Sequence, residues 1–178
     1  LDYLTDEKPA SPVVVRERIS REDFSIGFVG DPDFEQRANL KIQDGCDFMC
    51  SFCVIPFARG RARSRDWEDL FGEVRQMINQ GVREFILTGV NLGTYESKGN
   101  DFLALIDALA EIPGLDRLRI SSIEPTTIPN ELFGMMADPD HSLMPYLHIP
   151  MQACCDRTLA GMKRKYGMEE MVAFFDRA

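Results

Sequence analysis

The sequence predicts an α/β fold with a parallel sheet, in the form of a partial (βα) barrel of roughly four βα units. From Ala38 onward, short apolar runs alternate with longer amphipathic stretches, as strands and helices do in βα units. The 178 residues include 44% hydrophobic side chains, enough for one core. Four units fall short of the eight in a complete TIM barrel. We therefore expect a domain that is incomplete at its C-terminal end.

Four short apolar segments are predicted to be the strands. The first alternates, with Leu40 and Ile42 on one face, whereas the second is almost wholly apolar, as expected for a strand covered on both faces. In chain order the predicted strands are residues 38–43, 84–88, 117–121 and 146–149.

Apolar residues at helical spacing predict amphipathic helices between and after these strands. The strongest pattern starts at Trp67, with Asp66 as the expected N-cap and Gly81 as the expected stop. Shorter helical patterns cover residues 102–109, 131–137, 156–162 and 171–175. Residues 1–36 show little periodicity, and we expect a linker or the edge of a missing N-terminal domain there. The core domain is expected to be residues 37–178.

Composition excludes several classes of function. The net charge of -9 argues against a general nucleic-acid-binding surface, because phosphate affinity depends on Lys and Arg. No apolar run reaches the roughly 20 residues of a membrane span, and the first residues do not resemble a signal peptide. The five cysteines are not spaced as a disulfide framework. We expect a cytoplasmic protein that does not enter a membrane.

Three cysteines, Cys46, Cys50 and Cys53, fall within eight residues directly after the first predicted strand. A structural zinc site needs four protein ligands, whereas a cubane iron-sulfur cluster held by three thiolates keeps one iron open for a ligand. The zinc alternative requires a distant fourth ligand, for which the candidates are Cys154, Cys155 and His148. The spacing favours a 4Fe-4S cluster.

Polar segments follow the carboxyl ends of all four predicted strands. They are the cysteine loop and residues 88–95, 121–127 and 150–156. Loops at this edge of a parallel α/β sheet meet at one site. We expect all four segments to contribute to the same site.

The same segments resemble radical S-adenosylmethionine (radical SAM) methylthiotransferases in order and spacing. The resemblance covers about Ala38 to the C-terminus, and it rests on residues 41–65, 87–93, 121–125, 148–152 and 155–166. It implies the radical SAM type of partial barrel, with Cys46, Cys50 and Cys53 as the ligands of a 4Fe-4S cluster. It also implies S-adenosylmethionine (SAM) as a second cofactor.

Six further residues are candidates for SAM binding under this resemblance: Phe52, Gly89, Asn91, Ser122, Glu124 and Gln152. Each has a plain structural alternative. Phe52 suits a core aromatic, Gly89 and Asn91 suit a turn, and the other three suit solvated polar positions. His148, inside an apolar segment, is interpreted as a core histidine.

The implied reaction is reductive cleavage of SAM, with a deoxyadenosyl radical abstracting hydrogen from an adenine carbon before 2-methylthiolation. The motifs Ser-Ile-Glu-Pro at 122–125 and Cys-Asp-Arg-Thr-Leu at 155–159 resemble those of the branch that acts on threonylcarbamoyladenosine beside the tRNA anticodon. An electron donor such as flavodoxin or ferredoxin is implied. The family also has an N-terminal domain with a second 4Fe-4S cluster and a C-terminal RNA-binding domain, which we expect to be missing here.

Two other functions remain open at this point. The same chemistry could act on a ribosomal protein side chain, or the domain could be a non-catalytic metal or electron-transfer module. The dense basic run at Arg59, Arg61, Arg63 and Arg65 bears on the choice. A charge run is usually a solvated face. Its position just after the cysteines favours contact with RNA phosphates by Arg59, Arg63 and Arg65.

Overall fold

A computed structural model describes residues 19–26 and 37–178 of the protein. The strands are β1 Arg37–Lys41, β2 Gln43–Asp44, β3 Arg63–Ser64, β4 Glu84–Thr88, β5 Glu96–Ser97, β6 Asn100–Asp101 and β7 Arg117–Ile120. The α-helices are α1 Ile55–Ala58, α2 Trp67–Asn79, α3 Phe102–Ala110, α4 Glu131–Ala137, α5 Asp156–Gly161 and α6 Met168–Arg177. Short 3₁₀ turns cover Leu92–Thr94 and Pro125–Thr127.

The central sheet has three parallel strands in the order β1-β4-β7. Leu40 of β1 is in register with Leu87 of β4, which in turn pairs with Ile120 of β7. The long helices α2 and α3 each connect neighbouring strands, as in βα units. The predicted α/β class with a parallel sheet is confirmed.

The prediction of a fourth strand at 146–149 is wrong. In the described residues this region makes only isolated bridges to the sheet, pairing Leu118 with Leu143 and Ser122 with His148. Pro145 and Pro150 flank the segment, and proline has no backbone N–H to donate to a ladder. The expectation of a core histidine is also wrong, because His148 is exposed.

Helix α2 begins as predicted. The Asp66 side chain accepts a hydrogen bond from the backbone N–H of Asp69 at 3.1 Å, and so caps the first turn. Gly81 follows the helix end with a φ of 104°, a conformation that glycine adopts without strain. Among the residues that the structure describes, no helix is both long and apolar enough to cross a membrane.

One hydrophobic core fills the space between the sheet and helices α2 and α3. Helix α2 buries the apolar face that the spacing predicted, and α3 packs against the same side of the sheet. The buried residues of these helices are Leu70, Phe71, Val74, Met77, Phe102, Leu105, Ile106 and Leu109. This arrangement holds the carboxyl ends of β1, β4 and β7 at one edge.

Residues 19–26, part of the predicted linker, lie against the core domain. The backbone N–H of Phe24 donates to the Ser64 carbonyl at 3.0 Å, and that of Asp66 donates to the Phe24 carbonyl at 2.9 Å. The Phe24 ring lies beneath the cationic ends of Lys41 and Arg63, each 5.3 Å from its centroid. This short part of the chain is therefore packed on the core, while the domain boundary at 36/37 stays a prediction.

Candidate cluster and cofactor site

The three motif cysteines lie in one loop after β2. Cys46 and Cys50 are buried, Cys53 is partly exposed, and all three are free thiols. The loop begins at Gly45, whose φ of 69° is left-handed, and a Cβ there would lie 2.0 Å from the carbonyl oxygen of Arg61. Only glycine fits this approach. Gly45 thus sets the turn that brings Cys46 into the loop.

The thiols interact electrostatically. Burial raises the pKa of the Cys46 thiol, and the nearby charges of Cys50, Cys53 and Glu124 raise it further. The backbone N–H of Phe48 donates to Cys46 Sγ at 3.4 Å and lowers that pKa in part. Thiolates crowded in this way are stabilised when they coordinate a cation, which deprotonates the thiol.

This donor set fits a 4Fe-4S cluster. In the described part of the chain, no group of three or more His, Cys, Asp and Glu side chains is arranged to hold a single metal ion. A cubane cluster instead binds each thiolate at a different iron atom, and N–H groups donate to the sulfurs. Cys46, Cys50 and Cys53 lie in one loop, two of them are buried, and Cys46 Sγ already accepts a backbone N–H, which fits such a cluster.

Gln43 connects the cysteine loop to the loop after β4. Its side chain is fully buried, and Nε2 donates to the carbonyl oxygens of Asp44 at 3.0 Å and Gly45 at 2.9 Å. Oε1 accepts the backbone N–H groups of Val90 at 2.8 Å and Asn91 at 2.9 Å. One amide therefore satisfies four backbone groups and fixes two of the predicted site loops together.

The loop after β4 is joined in turn to the loop after β7. Asn91 is buried, and its Oδ1 accepts from Thr127 Oγ1 at 3.0 Å. Its Nδ2 has no hydrogen-bond partner in the described residues. If the amide were flipped, Oδ1 would be the atom without a partner. A Cβ on Gly93 would lie 2.2 Å from the Thr127 carbonyl oxygen. The two loops are in direct contact, with an unpaired amide atom of Asn91 between them.

Gly89 has a packing reason for its identity. A Cβ there would lie 2.7 Å from Leu92 Cδ2 and 3.0 Å from the Gln43 carbonyl oxygen. Close packing, and not a left-handed turn conformation, therefore accounts for glycine at position 89, and its role in SAM binding stays a prediction.

Glu124 lies beside the cluster loop, because it contacts the same arginine as Cys50. Its carboxylate forms an ion pair with Arg164, which also donates from Nη1 to Cys50 Sγ at 3.1 Å. Burial alone would lower the pKa of Arg164, but the hydrogen bond and charge of Glu124 raise it above its usual value. Two oppositely charged side chains are thus placed beside the thiols.

Tyr166 connects the loop at 150–152 to this group. Its hydroxyl donates to the Pro150 carbonyl at 2.9 Å and accepts from Arg164 Nη2 at 3.1 Å. The contacts made by Gln43, Asn91 and Tyr166 bring all four predicted loop segments to one edge of the sheet.

The remaining candidates for SAM binding lie at the surface. Ser122 Oγ is 2.6 Å from His148 Nδ1, and both line a shallow pocket beside β7. Phe52 is 55% exposed, so the core-aromatic alternative for it is wrong. Gln152 is exposed and has a φ of 66°, a left-handed conformation that is uncommon outside glycine.

The prediction that Arg65 contacts RNA is wrong. Its side chain is 1% exposed and forms ion pairs with Asp69 and Glu73, while its Nη2 donates to the Ile26 carbonyl at 3.3 Å. The spacing of the acids at i+4 and i+8, in the helix that starts two residues later, was a sequence signal for this pairing.

Arg59 and Arg63 both bind Asp44. The distances are 2.8 Å from Arg59 Nε and 3.1 Å from Arg63 Nη2, and Lys41 Nζ lies 3.0 Å from the same carboxylate. Burial raises the pKa of Asp44, but hydrogen bonds from Lys41, Gly45 N–H and Arg63 outweigh it and lower the pKa overall. Part of the positive charge is therefore neutralised within the chain, and RNA contact by these two arginines stays a prediction.

Two site residues, Arg164 and Gln43, received no role from sequence reasoning. Arg164 lies in the segment 162–166, which supported the resemblance, but spacing alone does not show that this segment folds back onto Cys50. Gln43 was placed in a strand. Strand alternation puts Gln43 on the opposite face from Leu40 and Ile42, so no sequence signal pointed to its burial.

Residues 40–178 match the Radical SAM superfamily. The chain is 41% identical over 136 residues to the threonylcarbamoyladenosine tRNA methylthiotransferase MtaB of Bacillus subtilis, covering 75% of this chain and 30% of the relative. It is 39% identical over 144 residues to the tRNA-2-methylthio-N(6)-dimethylallyladenosine synthase of Jannaschia sp., covering 79% and 31%. The chain thus spans about a third of the length of these curated relatives.

Among solved structures, the chain resembles the radical S-adenosylmethionine methyltransferase TsrM of Kitasatospora setae with tryptophan and a SAM analogue bound. The TM-score is 0.62 at 18% identity, over 79% of this chain and 28% of that chain. TsrM with cobalamin and a [4Fe-4S] cluster bound gives a TM-score of 0.61 at 19% identity, over 78% and 28%. These likenesses show a shared fold. The matched range covers most of the chain and includes the cysteine loop, β4, β7 and the end of β1, so this chain belongs to the Radical SAM superfamily.

Proposed function

We propose that this chain is the radical SAM core of a tRNA methylthiotransferase. The observation that carries the proposal is the loop of three free thiols, Cys46, Cys50 and Cys53, at the edge of the sheet where three other loops meet. The names of relatives at 37–41% identity, which are tRNA methylthiotransferases of two kinds, support the reaction type.

Cys46, Cys50 and Cys53 would hold a 4Fe-4S cluster and keep its fourth iron open for SAM. The cluster and SAM would supply the radical chemistry that activates an adenine carbon for methylthiolation. The protein contributes binding, orientation and exclusion of water. The burial of Cys46 and Cys50 serves the last of these.

The loops around the cysteines supply polar groups for SAM. We propose that Glu124, which shares Arg164 with Cys50, accepts from the SAM amino group, and that the Asn91 amide atom without a partner in the described residues contacts the ligand. Gly89, Ser122 and Gln152 lie on the same loops and are proposed as further contacts. The exposed Phe52 ring is free to stack on the SAM adenine.

The proposed substrate is an adenosine beside the tRNA anticodon, in its threonylcarbamoyl form. The motif at 122–125 supports that branch, and MtaB of Bacillus subtilis carries the matching name. Relatives named for dimethylallyladenosine have similar identity, so the choice of threonylcarbamoyladenosine depends on the motifs at 122–125 and 155–159. Arg59 and Arg63, 43% and 22% exposed, are proposed to contact tRNA phosphates.

Further components complete the proposed reaction. An electron donor such as flavodoxin or ferredoxin reduces the cluster, and a second 4Fe-4S cluster in an N-terminal domain is the proposed sulfur source. A C-terminal RNA-binding domain would hold the tRNA. All five cysteines are free thiols, which suits the reducing cytoplasm.

Anaerobic reconstitution with iron and sulfide tests the first half of the proposal. The chain should gain broad visible absorbance and, with a reductant, convert SAM to 5′-deoxyadenosine, measured by mass spectrometry. Cys50→Ala should lose both, whereas Cys154→Ala, which removes an exposed thiol, should retain both. A colourless protein that keeps zinc and does not cleave SAM would contradict the proposal that the chain is a radical SAM enzyme.

Nucleoside analysis tests the second half. The full-length protein, expressed in cells that lack their own methylthiotransferases, should produce 2-methylthio-threonylcarbamoyladenosine in digested tRNA. If the methylthio group appeared on dimethylallyladenosine instead, the substrate would be that nucleoside and not threonylcarbamoyladenosine. If a ribosomal protein were modified and the tRNA were not, the substrate would be the ribosomal protein.

A further inference from the structure

Arg164 places a buried guanidinium against the sulfur of a proposed cluster ligand. Its side chain is 3% exposed, and Nη1 donates to Cys50 Sγ at 3.1 Å. Glu124 and Tyr166 bind Nη2, and the guanidinium lies 5.0 Å from the centroid of the Tyr166 ring. Because Glu124 and Tyr166 hold the guanidinium in place, one of its N–H groups already donates to Cys50 Sγ, and the side chain does not have to change conformation.

The backbone explains how Arg164 reaches the cysteine loop. Helix α5 ends in a Schellman motif, in which Lys163 has a φ of 58° and the N–H of Arg164 bonds to the Leu159 carbonyl at 3.0 Å. The helix end is also tied to the loop, because Ser51 donates from N to the Met162 carbonyl at 3.0 Å. The turn and this contact together direct residue 164 toward Cys50.

Arg164 has a further donor in the site. Its Nε is buried and has no hydrogen-bond partner among the residues that the structure describes. A buried donor without a partner is costly unless a ligand or another group satisfies it. The nearest functional feature is the cysteine loop, to which Nη1 of the same planar guanidinium already donates.

We propose that Arg164 is a positioning residue that sets the reduction potential of the cluster through Cys50. This inference rests on the proposed function, in which Cys50 is a cluster ligand. One electron passes from a low-potential donor of the flavodoxin or ferredoxin class to the cluster, and no proton is transferred. Reduction increases the negative charge on the sulfurs, so an N–H from a cationic group stabilises the reduced state more.

Glu124 has the opposite effect. Its carboxylate neutralises much of the Arg164 charge, and through Arg164 it lies only two contacts from Cys50 Sγ. Removing this charge while keeping the arginine should favour reduction. Substitutions that remove the charge of Arg164 and the charge of Glu124 should therefore shift the midpoint potential in opposite directions.

The test is an electron paramagnetic resonance titration of the reconstituted chain against potential. Arg164→Met should lower the equilibrium constant for cluster reduction about tenfold. This corresponds to a midpoint potential about 59 mV more negative for one electron. Arg164→Lys should recover part of this shift, and Glu124→Gln should move the midpoint to a more positive potential. Lys165→Met, which removes an exposed positive charge one residue away, should leave the midpoint unchanged.

The outcomes separate the two proposals. A wild-type chain that shows no reduced-cluster signal overturns the proposed function and this inference with it. A loaded Arg164→Met variant with the wild-type midpoint overturns the inference alone. If that variant does not fold, Glu124→Gln and Arg164→Lys decide, since an unchanged midpoint in both contradicts the role of the pair.

Discussion

The Gln43 side-chain oxygen accepts the backbone N–H of Asn91 at 2.9 Å, across 48 residues of sequence. The same side chain donates to the carbonyl of Gly45, one residue before the first cysteine. A single buried amide thus sets the distance between the cysteine loop and the loop proposed to bind SAM. Pre-organisation of this kind is what a two-cofactor site requires.

Replacing Gln43 with leucine should therefore destabilise the fold. Four buried backbone groups would lose their partner, and we expect the free energy of unfolding to fall by about 3 kcal/mol. Urea unfolding of the chain measures this. Gln76→Leu, on the exposed face of α2, is the matched control and should change stability by less than about 0.5 kcal/mol. Equal stability of the two variants would contradict the role of Gln43.

The contact between the loops after β4 and β7 gives a second prediction. Gly93→Ala places a Cβ against the carbonyl oxygen and hydroxyl of Thr127, at 2.2 Å and 2.4 Å. The backbone must move apart, which should cost about 1–3 kcal/mol and reduce SAM cleavage. In Gly134→Ala, on α4, the added Cβ meets nothing within 4 Å, and it should stabilise the helix by up to about 1 kcal/mol. Wild-type stability and cleavage in Gly93→Ala would show that the loops are not tightly joined.

Glu84 predicts a loss of stability in acid. It is buried between three arginines, and the hydrogen bond from Arg117, followed by those from Arg119 and the charge of Arg37, lowers its pKa from 4.5 to about 2. Because folding lowers this pKa, the stabilisation is present above pH 4.5 and is lost as the pH falls from about 4.5 to about 2.

The measurement is urea unfolding at pH 6 and pH 3. We expect Glu84 to account for about 1–2 kcal/mol of the acid-side loss, since solvent screens the half-exposed Arg37 and Arg117. Glu84→Gln should remove that part of the pH dependence. Glu111→Gln, which deletes an exposed carboxylate, controls for net charge. An unaltered pH dependence in Glu84→Gln would rule out this linkage.

Arg65 should behave as a structural residue. Arg65→Met leaves Asp69 and Glu73 without their buried partner, and breaking such a pair costs about 3–5 kcal/mol. Arg75→Met, an exposed arginine near the Phe71 ring, should cost less than about 1 kcal/mol. A stable Arg65→Met variant with weakened tRNA binding would restore the RNA-contact hypothesis.

Sequence patterns were sufficient where local structure decides the outcome. The strand at Glu84–Thr88 and the helix at Glu131–Ala137 have the predicted bounds, and Asp66 caps α2 as expected. In each case the signal is apolar periodicity or a capping side chain, which acts within a few residues. The three motif cysteines lie in one loop, and their role as cluster ligands stays a prediction.

Patterns failed where a distant partner decides the outcome. Residues 146–149 have strand-like apolar spacing, but a strand also needs a ladder, and prolines at 145 and 150 limit the hydrogen bonds to β7. In sequence, Arg65 belongs to a basic run that resembles an exposed surface. Its side chain is buried only because α2 packs beside it, which the sequence does not show. Arg164 is 114 residues from Cys50, so only the folded chain shows their hydrogen bond.

The turn that positions Arg164 gives the last prediction. Lys163 has a φ of 58° and its N–H bonds to the Ala160 carbonyl at 3.0 Å, so it occupies the left-handed position of the Schellman motif. Valine is strained there because it is β-branched, whereas glycine is not. Lys163→Val should lower the free energy of unfolding by about 1–2 kcal/mol and release Arg164 from Cys50, with a shift of the cluster midpoint toward that of Arg164→Met. Lys163→Gly should keep the wild-type midpoint and change stability by less than about 1 kcal/mol, because it removes the same charge but preserves the turn. Urea unfolding and the redox titration measure both effects, and identical results for the valine and glycine variants would show that the turn does not position Arg164.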